Sequence, residues 1–101
     1  MTKIILICSA GMSTSILVQK MKKVASEKGL EFDITAYPES NAQEHYDGCS
    51  IVLLGPQVRY LLNKVKKDVE GKNIKVDVID TVSYGRMDGE AVINQINKLL
   101  E

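Results

Sequence analysis

Ile4-Ile5-Leu6-Ile7-Cys8-Ser9-Ala10-Gly11-Met12-Ser13-Thr14-Ser15 is the stretch that decides the fold of this chain. Its first five residues are apolar without a break and mostly β-branched. That is the pattern of a strand covered on both faces. Small residues follow, with one glycine, and they read as a turn. Beyond the turn Ile16, Leu17, Met21, Val24 and Ala25 recur at helical spacing, with Gln19, Lys22, Lys23 and Glu27 on the other side. Gly29 stands where a helix-ending glycine belongs. A buried strand that turns directly into an amphipathic helix is the opening of a βαβ unit.

Working outward, the pattern repeats. Residues 32–37 alternate apolar and polar, so they read as a strand with one poorer face, at a sheet edge, ended by Pro38. Ser40 and Asn41 are candidate caps for a short helix reaching Tyr46, and Asp47-Gly48 is a turn signal. Residues 50–54 form a second fully apolar strand, stopped by Gly55-Pro56. Val58, Leu61, Leu62, Val65 and Val69 predict a second amphipathic helix, ending at Gly71. Residues 74–79 read as a fourth strand and residues 80–88 as a loop. Val92, Ile93, Ile96, Leu99 and Leu100 predict a closing helix. The order βαβαβαβα predicts an α/β fold, a four-stranded parallel sheet with helices on both faces, because parallel strands need helical crossovers. The two most apolar strands, the first and third, belong in the centre. The expected strand order is therefore 2-1-3-4, in an open doubly wound sheet.

The length of 101 residues suits a single domain over 1–101. Hydrophobic residues at 45% and charged residues at 26% place the chain among folded globular proteins rather than disordered ones. Thirteen basic residues balance thirteen acidic ones, without the basic excess of a general nucleic-acid binder. No apolar run approaches the roughly 20 residues that span a bilayer, and the N-terminal run is too short for a signal peptide. The expectation is a cytoplasmic protein with no direct membrane insertion. Two cysteines are too few for a disulfide scaffold and are wrongly spaced for a redox pair or a zinc site.

In such a sheet ligands bind beyond the carboxyl ends of the strands, where the strand order reverses. Here that point lies between the first and third strands. It brings together the loop after Cys8 and the loop Gly55-Pro56-Gln57, flanked by the loops that begin at Pro38 and Asp80. Cys8 ends its strand and opens a turn that runs into a helix. Helix starts carry unpaired N–H groups and a partial positive charge, which favour a bound anion and a thiolate alike. Gly11 lets the backbone approach a ligand, and Ser13, Thr14 and Ser15 suit capping or phosphate contact. One loop thus supplies a nucleophile, Cys8, and an anion cradle, residues Ser9, Ala10, Gly11, Met12, Ser13, Thr14 and Ser15. The plainer alternative, that Cys8 is a small core residue, is weakened by its place at the reversal of strand order.

Three motifs carry a resemblance across essentially the whole chain: the Cys8-Ser9-Ala10-Gly11-Met12-Ser13-Thr14-Ser15 turn, Leu53-Leu54-Gly55-Pro56-Gln57, and Tyr84-Gly85-Arg86-Met87-Asp88-Gly89. Together they resemble the IIB components of the bacterial phosphoenolpyruvate-dependent sugar phosphotransferase system, in the lactose, cellobiose and chitobiose family. The resemblance implies a phosphocysteine carrier. The cysteine matching Cys8 takes a phosphoryl group from a phosphohistidine on a IIA protein. It passes the group to a sugar held by a membrane IIC protein. The resemblance implies a β-linked disaccharide, with cellobiose or chitobiose favoured and lactose open. No cofactor or metal is implied.

The Cys8 loop and the fold also resemble low-molecular-weight tyrosine phosphatases. Those enzymes place an arginine six residues after the cysteine, where this chain has Thr14. That arginine holds the phosphoryl oxygens through the transition state, so its absence suits a carrier that must not hydrolyse its phosphocysteine. Phosphatase action on phosphotyrosine or small phosphoesters is the alternative function. Asp80, near where a phosphatase keeps its acid, keeps that alternative open; the plainer role for Asp80 is to cap a turn.

Among the other residues, Gln57, Tyr84 and Arg86 are candidates for a supporting or partner-contact role near the phosphoryl group. Each has a plainer loop-ordering or surface reading. Met12 is expected to be exposed in the turn. Cys49 precedes the third strand, at the opposite end of the sheet from Cys8 and about 15 Å away at roughly 3.3 Å per residue, so no disulfide joins them. It reads as structural. His45 falls away from the reversal point and reads as a solvated helix residue.

Overall fold

The computed structural model describes residues 1–9 and 12–101, and at residues 12 and 13 the backbone alone. Its strands are β1 (Thr2–Cys8), β2 (Phe32–Pro38), β3 (Ile51–Leu54) and β4 (Lys75–Val78). Its helices are α1 (Met12–Glu27), α2 (Leu62–Asp68), α3 (Thr81–Gly85) and α4 (Gly89–Leu100). All paired strands are parallel, in the order β2-β1-β3-β4. The expected topology is met. The two runs read as central strands are central, and Ile4, Ile5, Ile51, Val52, Leu53 and Leu54 are fully buried.

Alternation along the strands sorts the core into two halves. Ile4, Leu6, Ile51 and Leu53 face one way and pack with Leu17 and Met21 of α1 and Val92, Ile93 and Ile96 of α4. Ile5, Ile7, Val52 and Leu54 face the other way, toward Val58 and Val65. Apolar burial of about 25 cal/mol per Å² on both faces is what holds the central strands in place. On the first face α1 and α4 approach so closely that Gly89 admits no side chain. A Cβ there would lie 2.7 Å from the backbone carbon of Lys20. Gly29 ends the first helical segment with φ +71, as its left-handed role requires.

Some expectations need correction. Ile16, expected on the buried face of α1, is 52% exposed. The inward stripe runs through Leu17, Val18, Met21 and Ala25 instead, and Ile16 stands one residue, about 100°, off it. Leu100 is also exposed, being the last residue of α4. The short helix after β2 is a 3-10 turn, Ala42–His45, whose first residue is preceded by Asn41 without any side-chain capping bond. The second helix begins earlier than its apolar spacing suggests. Pro56 starts a 3-10 segment, Pro56–Leu61, that leads into α2, because proline is preorganised for the first turn of a helix. Residues 80–88 are not all loop: they contain α3. Asp80 nucleates it, its carboxylate accepting from the Ser83 N–H at 3.0 Å and the Ser83 hydroxyl at 3.1 Å.

Candidate functional site

The carboxyl ends of β1 and β3 lie side by side, with Ile7 opposite Leu54. The Gly55 N–H continues the ladder to the Ile7 carbonyl at 2.9 Å. Cys8 therefore sits at the reversal of strand order. It is 4% exposed. Its thiol donates to the Tyr37 carbonyl of β2 at 3.7 Å, a long contact, and its own carbonyl accepts from the Glu39 N–H at 3.1 Å. Among the described residues that long bond ties the Cys8 side chain to the β2 side, and α1 begins four residues later.

Of the expected anion cradle, Ala10 and Gly11, with the side chains of Met12 and Ser13, lie outside the described residues. Ser9 and Ser15 are exposed. Thr14 is the one buried polar side chain among the described residues, at 1% exposure. Its hydroxyl is 3.1 Å from the hydroxyl of Tyr84, 70 residues away in sequence. Tyr84 is itself buried, in the core beneath α1 and α4. Strand topology thus brings Tyr84 to the first turn of α1.

The loop after β3 joins the same cluster. A Cβ on Gly55 would meet the Gln57 Oε1 at 3.0 Å, the Ile7 carbonyl at 3.5 Å and the Tyr84 Cε2 at 3.6 Å. Gln57 is exposed, but its amide folds back over Gly55. An open groove lined by Pro56, Gln57, Arg59, Thr81, Tyr84 and Gly85 runs along this side of the site. Arg86 follows on the same edge and is exposed, its backbone N–H held by the Val82 carbonyl at 3.0 Å. On the opposite side the Tyr60 hydroxyl donates to Glu39 at 3.1 Å, and that bond to a carboxylate raises the Tyr60 pKa.

Sequence reasoning missed two supports. The carbonyl that receives the Cys8 proton belongs to Tyr37, and a backbone acceptor leaves no signature in residue type. Gln95 of α4 clamps the end of β4: its amide nitrogen donates to the Val78 carbonyl at 2.8 Å and to Asp77 at 3.0 Å, while its amide oxygen accepts from the Asp80 N–H at 3.3 Å. A glutamine on the inward edge of the last helix was the available signal. Asp80, the candidate phosphatase acid, has its carboxylate engaged in capping α3.

The remaining candidates lie elsewhere. Cys49 is at the amino end of β3, a free thiol like Cys8. It donates to the Ile51 carbonyl at 2.8 Å and the Lys3 carbonyl at 3.5 Å, and burial raises its pKa. His45 is not a freely solvated ring. It stacks on Tyr37, centroids 3.8 Å apart and 7° from parallel, because the 3-10 turn folds back against β2. Among the described residues no group of three His, Cys, Asp or Glu side chains could hold a metal ion, and no helix is long and apolar enough to cross a membrane.

The family model described as PTS system, lactose/cellobiose-specific IIB subunit, matches residues 3–95. The chain belongs to this family. IIB subunits are phosphotransferase components that work with IIA and IIC partners. The chain is 42% identical over 100 residues to the oligo-beta-mannoside-specific EIIB component of Bacillus subtilis (strain 168), covering 99% of this chain and 97% of the relative. It is 37% identical to a galactose-specific EIIB component of Lactococcus lactis subsp. cremoris (strain MG1363) and 36% identical to a cellobiose-specific one of Lactococcus lactis subsp. lactis (strain IL1403), each over 96% of this chain and 94% of the relative. The fold matches the lactose-specific IIB domain from Streptococcus pneumoniae with a TM-score of 0.83 at 15% identity, over 95% of both chains. The IIB fold, with its resemblance to low-molecular-weight phosphatases, is therefore the fold of this chain.

Proposed function

We propose that this IIB chain is a cytoplasmic phosphocysteine carrier and that Cys8 bears the phosphoryl group. The observation that carries this reading is the position of Cys8: the last residue of a central strand, at the reversal of strand order, immediately before the turn into α1. In the first step the Cys8 sulfur attacks the phosphorus of a IIA phosphohistidine. The S–P bond forms as the P–N bond breaks, and the electron pair and a proton go to the imidazole. In the second step the hydroxyl of a sugar held by the membrane IIC partner attacks. An O–P bond forms as the S–P bond breaks, sulfur leaves as thiolate, and the hydroxyl proton is released. Backbone N–H groups of residues 10–15, with the hydroxyls of Ser13 and Ser15, neutralise the phosphoryl oxygens, so positioning and electrostatics supply most of the rate; the Thr14 hydroxyl is turned to Tyr84 instead.

Thr14, and not an arginine, stands six residues after Cys8, and it is buried against Tyr84. No guanidinium from that position holds the phosphoryl oxygens for attack by water, which suits a carrier better than a phosphatase. The sugar is a β-linked oligosaccharide, cellobiose or chitobiose first and lactose next. Relatives named for oligo-beta-mannosides and cellobiose support that class, while the galactose-specific relative marks its breadth. Incubation with phosphorylated IIA protein tests the reading. The chain is expected to gain one phosphate on Cys8, detectable by mass and by phosphorus NMR, without steady release of inorganic phosphate. Normal phosphate acceptance by Cys8→Ser, or sustained hydrolysis, defeats it.

A further inference from the structure

We infer that Tyr84 is a positioning residue for phosphoryl transfer, holding the first turn of α1 in place through its hydroxyl contact with Thr14. The inference rests on the phosphocarrier reading of Cys8. The N–H groups that open a helix lack acceptors in the preceding turn, and their aim decides how well they meet an anion. Such a seat is sensitive to displacements of about 0.5 Å. Thr14 is the third residue of α1 and lies in that turn. Its hydroxyl meets the Tyr84 hydroxyl at 3.1 Å where both side chains are buried.

Tyr84 is well placed to act as a fixed post. Its ring lies by the carboxyl ends of β3 and β1, with Cε2 3.6 Å from the Cβ position that Gly55 leaves empty. Its helix is capped by Asp80, and the junction of β4 with that helix is clamped by Gln95. The post is thus anchored to the sheet and to α4, while α1 carries the turn that must be aimed. Packing alone does not account for the hydroxyl. Phenylalanine would fill the ring's volume without burying a polar group, and a buried hydroxyl costs free energy unless it is bonded.

The test is single-turnover transfer from phosphorylated IIA protein to the wild-type chain, Tyr84→Phe, Thr14→Val and the double variant. Tyr84→Phe is expected to lower the transfer rate constant about tenfold, the scale of one lost buried hydrogen bond, with half-saturation by the donor unchanged. In the Thr14→Val background the same change should cost clearly less than tenfold, because the two hydroxyls are coupled. Thr14→Ser, which keeps the hydroxyl, should retain most of the rate. A wild-type rate for Tyr84→Phe, or an effect that persists in full without the Thr14 hydroxyl, overturns the inference. Should Tyr84→Phe fail to fold, equal rates for Thr14→Val and Thr14→Ser overturn it instead. A wild-type chain that never accepts phosphate on Cys8 defeats the carrier reading and this inference together, and is seen before any variant is made.

Discussion

Cys8 and Cys49 are almost equally buried, at 4% and 6% exposure, and stand at opposite ends of the same sheet. Burial therefore does not separate the thiol proposed to carry phosphate from the one read as structural. Their bonds do. Cys49 gives its proton to two backbone carbonyls, one of them at 2.8 Å, and burial holds it in the thiol form. Among the described residues Cys8 donates one bond, of 3.7 Å, and it stands four residues before α1. In an open α/β sheet the amino ends of the strands carry connections, and the carboxyl ends carry chemistry.

Exchanging the two sites by mutation puts the largest strain on this contrast. Cys8→Ala should abolish phosphate acceptance, a loss of at least about 10³-fold, while Cys49→Ala keeps it within about twofold. In stability the ranking reverses for Cys49. Its replacement by alanine removes a bonded donor and leaves a small void, costing about 1–2 kcal/mol in denaturant unfolding. Equal losses of transfer in both variants would erase the distinction between the two ends.

A smaller effect concerns alkaline pH. The folded chain holds the Cys49 proton more tightly than the unfolded chain does, since burial raises this pKa. The resulting stability is present below the unfolded thiol value of about 8.5 and is lost as pH rises through the folded value. Tyr46, also raised by burial, adds to the loss at higher pH. Cys49→Ala should flatten the fall in unfolding midpoint above about pH 8.5; an unchanged slope would show that the thiol is not the source.

The smallest effect belongs to the Lys72–Asp47 ion pair at the amino end, 2.9 Å long and exposed. Lys72 lowers the Asp47 pKa, chiefly through its hydrogen bond. The linked stability is present above the unfolded carboxyl value and lost as pH falls through the lowered one. Solvent screens such a pair. Lys72→Gln should leave both the neutral-pH unfolding midpoint and phosphoryl transfer unchanged within error.

What could be read from the sequence followed the length of each signal. β1 and β3 are runs of consecutive buried apolar residues, and no helix pattern competes with them. Their positions set the strand order and hence the place of Cys8. α3 escaped because five residues hold too few turns for periodicity to register, although Asp80 with Ser83 three residues on is a capping pattern. Ile16 departs from expectation because an apolar residue beside Leu17 fits the stripe by composition and misses it by angle. The Thr14–Tyr84 contact joins positions 70 residues apart, and only the folded sheet brings them together.

The seam between α1 and α4 has a consequence in time. If Cys8 carries phosphate as proposed, the helix that follows its turn is closed from below by Gly89 against Lys20 and met at Thr14 by the Tyr84 hydroxyl. Both supports are translated long after Cys8. A nascent chain that has folded only β1, α1 and β2 therefore carries the cysteine but lacks the supports that hold its anion seat. On that reading, loading with phosphate is a property of the completed fold, and a partner that tests for a transferable phosphoryl group would also test that the last helix has docked.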